Sequence, residues 1–296
     1  TGRYATGSYN TFVGYKAGTG GTTSAPFSSG ANNTALGYQA LTAFTTATGN
    51  TAIGYNAGDT ITTSGYNALV GYEVGQSLAG GSGQNVAIGY QPLYNGTSNT
   101  RVIAIGSRAG YNSTADNNVY IGYSAGRESR AGVSQVYIGN QAGYYATGSY
   151  NTFVGDDAGQ GGTTSAPFSS GENNVAVGYQ ALTAFTTAEG NIAMGYQAGG
   201  AITTGGNNVF IGKLAGDLLT TGTNNVVVGS GALGTADGNE RENIAIGQGA
   251  AGGINNDSAI RNVFIGEYAG YGGTGALNYS VAIGYRALDS TGANNS

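Results

Sequence analysis

Apolar positions along this chain follow a period of two, not the period of about 3.6 that marks a helix, and they recur inside a nine-residue motif typified by residues 50–58, NTAIGYNAG. Sixteen copies run from end to end, with central glycines at Gly14, Gly37, Gly54, Gly71, Gly89, Gly106, Gly122, Gly139, Gly155, Gly178, Gly195, Gly212, Gly229, Gly247, Gly266 and Gly284. Successive glycines lie 16 to 19 residues apart except for two spacings of 23. That period is too short for helical repeats and suits one turn of a β-solenoid. The expected fold is therefore all-β, a parallel solenoid of about sixteen coils with one strand in each.

Numbering the motif from Asn50, position one is Asn in thirteen copies, with Val102, Gln135 and Ser280 as the exceptions. Asparagine bonds its own chain locally and tolerates left-handed backbone, so it suits the corner where a loop becomes a strand, and stacked copies can form an amide ladder. Position four is always aliphatic, and position two is Thr, Val, Ile or Ala. Because alternate strand residues face the same way, these two positions are expected to form the core, with Ile53, Ile88 and Ile211 inside.

Position three faces the other way and is never polar. It is Ala in half the copies and large in Phe12, Leu69, Tyr120, Tyr137, Phe153, Phe210, Val227 and Phe264. A strand apolar on both faces is normally covered on both, so Phe12, Tyr120, Tyr137, Phe153, Phe210 and Phe264 are the expected contacts between copies of the chain. The fifth-position glycine never varies, which points to a bend that a Cβ would obstruct. Position six is a tyrosine in nine copies: Tyr15, Tyr38, Tyr55, Tyr72, Tyr90, Tyr123, Tyr179, Tyr196 and Tyr285. Two roles stand open for this row, binding to sugar faces or packing along the corner of the coil.

Residues 145–177 repeat residues 4–36 at an offset of 141, so a block of eight coils has been duplicated. The expected organisation is a first block at 1–144 and a second at 145–296 in one continuous solenoid. The end sequences read as interrupted coils, so the chain is expected to be a piece of a longer array. The two long spacings come from near-identical loops, GGTTSAPFSSG at 20–30 and 161–171, whose tips carry Pro26, Phe27, Pro167 and Phe168. Insertions on one face are where repeat proteins commonly place contacts, although each Phe can equally fold back over an edge.

Composition narrows the chemistry. With 57 glycines, 3 prolines and no G-X-Y period, the chain is neither collagen nor, given its regular aliphatic positions, a disordered segment. It has no histidine or cysteine, so it holds neither a Ser-His nor a Cys-His nucleophile, nor a zinc-thiolate site. Fifteen acidic against ten basic residues, with no basic cluster, supply no footprint for nucleic acid. No apolar run approaches the ~20 residues that span a bilayer. Gly229, Gly231 and Gly234 satisfy G-x-G-x-x-G, but TADGNERE follows in place of a helix. Asp156 and Asp157 are adjacent and so point oppositely on an extended chain, a poor acid/base pair. A weak calcium site at Asp237 and Glu240 is the remaining ionic candidate. No cofactor is expected.

The repeated N-[TV]-A-[IV]-G-x-x-A pattern resembles the head repeats of trimeric autotransporter adhesins and the repeat arrays of bacteriophage tail fibres. The resemblance covers essentially the whole chain. It implies a left-handed parallel β-roll, three chains packed about a common axis, and structural roles for Asn50, Thr51, Ile53, Gly54 and their equivalents. Coils of mostly seventeen residues with tyrosine after the glycine depart from the adhesin pattern and look more like fibre proteins. The expected role is a non-enzymatic extracellular fibre segment, at a cell surface or on a virion, that partners itself as a homotrimer and attaches to a surface glycan or receptor. A self-assembling filament is the alternative, with ice binding and a glycan-degrading tailspike further behind.

Overall fold

The computed structural model describes residues 1–22, 27–162, 168–254, 259–272 and 277–289. Among them the chain is all-β, without a helix, and forms a parallel β-solenoid with one short strand per coil. It divides into two compact units, Thr1–Tyr144 and Tyr145–Ser296, at the boundary of the sequence duplication. The first holds β1 (Thr11–Val13), β2 (Thr34–Leu36), β3 (Thr51–Ile53), β4 (Ala68–Tyr72), β5 (Val86–Tyr90), β6 (Ile103–Ile105), β7 (Val119–Ile121) and β8 (Val136–Ile138). The second holds β9 (Thr152–Val154), β10 (Val175–Val177), β11 (Ile192–Met194), β12 (Val209–Ile211), β13 (Val226–Val228), β14 (Ile244–Ile246), β15 (Val263–Ile265) and β16 (Val281–Ile283).

Within each unit neighbouring coils pair in parallel, motif position to like position. Thr51, Ala52 and Ile53 stand beside Ala68, Leu69 and Val70, and Ile192, Ala193 and Met194 beside Val209, Phe210 and Ile211. Coil-to-coil backbone bonds continue beyond the strands, as in Asn56 N to Tyr38 O at 2.9 Å and Tyr66 N to Thr48 O at 2.9 Å. Loop-like segments thus satisfy their buried backbone groups as a sheet would.

The fifth-position glycine fixes how closely coils approach. Gly54 has φ +132°, a region closed to residues with a Cβ, and a Cβ built there would lie 1.9 Å from the carbonyl oxygen of Gly71. The next pair, Gly71 over Gly89, is equally tight at 1.9 Å. Both the dihedral and the space require glycine.

The first-position asparagines form the predicted ladder, buried in every rung but the half-buried Asn10. Asn33 Oδ1 accepts both the backbone N–H and the side-chain Nδ2 of Asn50, at 2.9 and 3.2 Å, while Asn50 Nδ2 also donates to the Ser64 carbonyl at 3.0 Å. One amide therefore joins two coils and braces its own. Full pairing matters because an unpaired buried amide costs on the order of 1–3 kcal/mol.

The faces of the strand are reversed from expectation. Position three is the interior: Ala52, Leu69, Tyr120, Tyr137, Phe153, Phe210 and Phe264 are fully buried in their own chain. Ile88 and Ile211 are 40% and 39% exposed, and Ile53 is half-buried. The cause is volume. A coil of about seventeen residues encloses a narrow interior, so its contents must be matched pair by pair, whereas the outer face accepts a uniform row of branched side chains. An aromatic at position three lies against a glycine six residues later: a Cβ on Gly126 would sit 2.3 Å from the Tyr120 ring, on Gly159 2.4 Å from Phe153, and on Gly216 2.4 Å from Phe210. Where position three is alanine the partner is often large, as in Ala35 with Leu41, Ala87 with Leu93 and Ala176 with Leu182, all fully or almost fully buried. Where both are small, as at Ala52 with Gly58, Ala104 with Gly110 and Ala193 with Gly199, the large position-three residue of the next coil (Leu69, Tyr120 or Phe210) lies against the glycine, so the interior stays close-packed.

Two outcomes check this packing. Gly71→Ala should cost at least ~3 kcal/mol in urea unfolding, since it combines a forbidden dihedral with a backbone clash. Gly126→Ala should be strongly destabilising alone but less so beside Tyr120→Leu, with a double-mutant coupling of ~1 kcal/mol or more in the rescuing direction.

Candidate functional site

The alternation that buries position three turns positions two and four outward. In each unit they make two parallel rows of mostly Val and Ile, half-buried to exposed and held in register by strand pairing. Contiguous apolar surface well beyond a few hundred Å² is uncommon on a solitary soluble chain and marks an interaction surface. Phe12, Tyr120, Tyr137, Phe153, Phe210 and Phe264, the aromatics expected between subunits, do not belong to it. The Tyr120 hydroxyl donates inside the solenoid to Gln135 Oε1 of the next coil at 2.8 Å, and burial pushes the phenol up to about 12. The ring of Phe12, half-buried, tilts against Phe44 at 5.6 Å, and Phe153 meets Phe185 edge-on at 5.5 Å.

The bend at the glycine delivers position six to an exposed corner. Tyr15, Tyr38, Tyr55, Tyr72 and Tyr90 stack there with centroids 5.1 to 5.2 Å apart and planes within 16°. Tyr179 and Tyr196 repeat the arrangement at 5.4 Å, and Tyr123 and Tyr285 are exposed. Lys16 and Lys213 place ammonium groups 5.4 and 6.0 Å from the centroids of Tyr15 and Tyr196. Within the run, ring faces are turned to one another. Edges and hydroxyls are what this corner offers to solvent.

Phe27 stacks on Tyr4 at 6.1 Å and Phe168 on Tyr145 at 5.8 Å, so each loop aromatic lies against the coil that precedes its own. Pro26 and Pro167 lie outside the described residues. Gly229 belongs to the glycine stack, a Cβ there meeting Gly247 O at 2.3 Å, and turns follow it instead of a helix. Asp157 accepts a bond from Gln160 Nε2 at 3.1 Å, and burial moves its carboxyl up, with a bond to Gln180 opposing and the Asp156 charge adding. Glu240 is fully buried and accepts the Gly238 N–H at 3.1 Å. Among the described residues, no three His, Cys, Asp or Glu are grouped to hold a metal ion, and no helix is long and apolar enough to cross a membrane.

One ionisable group has no place in the sequence reading. Asp59, just past the bend of β3, is driven up to about 6, chiefly by burial and further by the Glu73 charge, against bonds from the backbone of Asp59 and Thr60. Its position in the return segment carries no motif that would have marked it.

No protein-family model, curated protein or solved structure matches this chain.

A carboxyl that holds its proton more tightly folded than unfolded favours the fold at low pH, and that contribution fades as pH rises from about 4 through about 6. Asp59→Asn should therefore raise the thermal midpoint at pH 7.5 and leave it nearly unchanged at pH 4, read by circular dichroism melts at both values.

Proposed function

We propose that the chain is a non-enzymatic segment of an extracellular attachment fibre, as in a phage tail fibre or surface adhesin, in which three copies pack through their outer strand faces. The observation that carries this reading is the pair of outward aliphatic rows along both units. Second copies of the chain are the fitting occupants, because another strip of the same rungs has the same spacing and the same lack of charge. Thirteen of the sixteen outward strand side chains of the first unit and fifteen of the second are apolar, a continuous strip of the kind that a standard interface of ~800 Å² per partner buries. The trimer is the assembly implied by the resemblance of the repeats, now with positions two and four at the subunit contact in place of position three. Interior cross-bracing by asparagine and glycine stiffens each unit, as a spacer requires.

Light scattering on the chain should give three times its 29.4 kDa mass. Ile88→Lys with Ile211→Lys should reduce that mass to one chain while the far-ultraviolet β signal survives, because both side chains are outward. A wild-type monomer with an intact β signal would remove the trimer. Indefinite filaments in electron micrographs would replace the fibre with a self-assembling polymer.

A further inference from the structure

The first unit carries a cleft of ≈ 320 Å³ lined by Asn95, Asn112, Thr114 and Arg130. It spans the return segments of three successive coils, those that begin with β5, β6 and β7. Asn95 Nδ2 donates to Asn112 Oδ1 at 2.7 Å, and Asn112 Nδ2 donates to Glu128 Oε2 at 2.8 Å. The same carboxylate oxygen accepts Arg130 Nη2 at 3.3 Å, and Thr114 Oγ1 donates to the Arg130 carbonyl at 2.6 Å. Tyr94 and Tyr111, each next to a cleft asparagine in sequence, stack at 5.0 Å with planes 3° apart. Arg127 continues that stack, its Cζ 5.6 Å from the Tyr111 centroid and 5.4 Å from Tyr144.

This layout matches a saccharide better than any other small ligand. The volume falls at the lower end of the range for binding clefts, enough for one or two sugar rings. Carboxamides offer both donors and acceptors, which neighbouring sugar hydroxyls use in pairs, and Asn95 keeps one N–H and its oxygen beyond the bond to Asn112. The guanidinium side chain of Arg130, 57% exposed, presents a planar fork suited to a carboxylate, while Glu128 is only 12% exposed and already receives Asn112 and Arg130. Arg130 is the one charged side chain among the residues that line the cleft. The second unit offers an internal comparison. The residues at the places of Asn95, Asn112 and Glu128, counted from the central glycines, are Thr235, Gly253 and Gly272.

Resting on the attachment role proposed above, we infer that this cleft is a glycan-binding subsite for a carboxylate-bearing sugar, with Arg130 receiving the carboxylate and Asn95 and Asn112 the ring hydroxyls. The stacked Tyr94 and Tyr111 immediately precede its two asparagines in the chain.

Titration of the full chain with sialyllactose and with lactose, followed by saturation-transfer NMR, tests it. Sialyllactose should bind saturably in the millimolar range typical of a single shallow site, and lactose at least ~10-fold more weakly. Arg130→Gln should weaken sialyllactose about 10-fold or more, as loss of a charge-assisted contact does, while the melting curve and the lactose response stay unchanged. Arg241→Gln, in the second unit, should change nothing. Equal binding of both sugars, or sialyllactose binding unmoved by Arg130→Gln, overturns the assignment. A wild-type trimer that binds neither sugar also overturns it while leaving the fibre intact. A monomer that still binds sialyllactose sinks the fibre and keeps the cleft.

Discussion

Within each unit the fold depends on one close approach, the carbonyl of a fifth-position glycine resting near where the Cβ of the glycine one coil earlier would be. At 1.9 Å for Gly54 over Gly71, no other residue fits. The contact brings backbones near enough for hydrogen bonds to continue around the coil, in segments that elsewhere would be solvated loops. A coil tight enough to make this contact has a thin interior. That thinness in turn forces glycine beside each aromatic and lets alanine sit with leucine or beneath the large residue of the next coil.

The asparagine ladder answers a second need of the same geometry. Where the return segment meets the strand, the backbone turns through left-handed residues, some of them asparagines that tolerate it, as Asn32 and Asn117, and others such as Tyr66, for which it costs about 1–2 kcal/mol. Buried amides with every bond made hold these corners in place. Amide chains aligned head to tail also polarise one another, so a run of rungs is worth more than its members counted singly. At the first member of each run, Asn10, Asn118 and Asn151, the Nδ2 that lacks a preceding asparagine turns instead to the carbonyl three residues back, of Gly7, Ala115 and Gly148.

The period, the strand positions and the glycine bend were legible in the sequence because each is a strict local requirement repeated sixteen times. The direction of the faces was not, because hydrophobic alternation defines two sets of side chains without saying which is enclosed. Isoleucine outranks alanine in apolar character, so Ile53 and Ile88 read as core, yet a thin coil favours Ala52 and Ala87. The signal that decides the matter was present at long range within each motif: Phe12, Tyr120, Tyr137, Phe153, Phe210 and Phe264 are each followed six residues later by glycine, and Ala35, Ala87 and Ala176 by leucine. Compensating volumes imply a shared enclosure. The cleft left no such trace, since Asn95, Asn112 and Arg130 lie in return segments outside the repeating motif and meet only because successive coils stack.

Val102 interrupts the amide run of the first unit, accepting no bond on its side chain although its N–H still reaches Asn85 Oδ1 at 2.9 Å. The interruption falls in the middle of the three coils that build the cleft. The coils on either side of Val102 are joined by full strand pairing and by that one bond, without the side-chain amide link found between Asn67 and Asn85. The cleft therefore sits where one side-chain rung of the ladder is replaced by an apolar residue, and its coils are joined there by backbone donors alone.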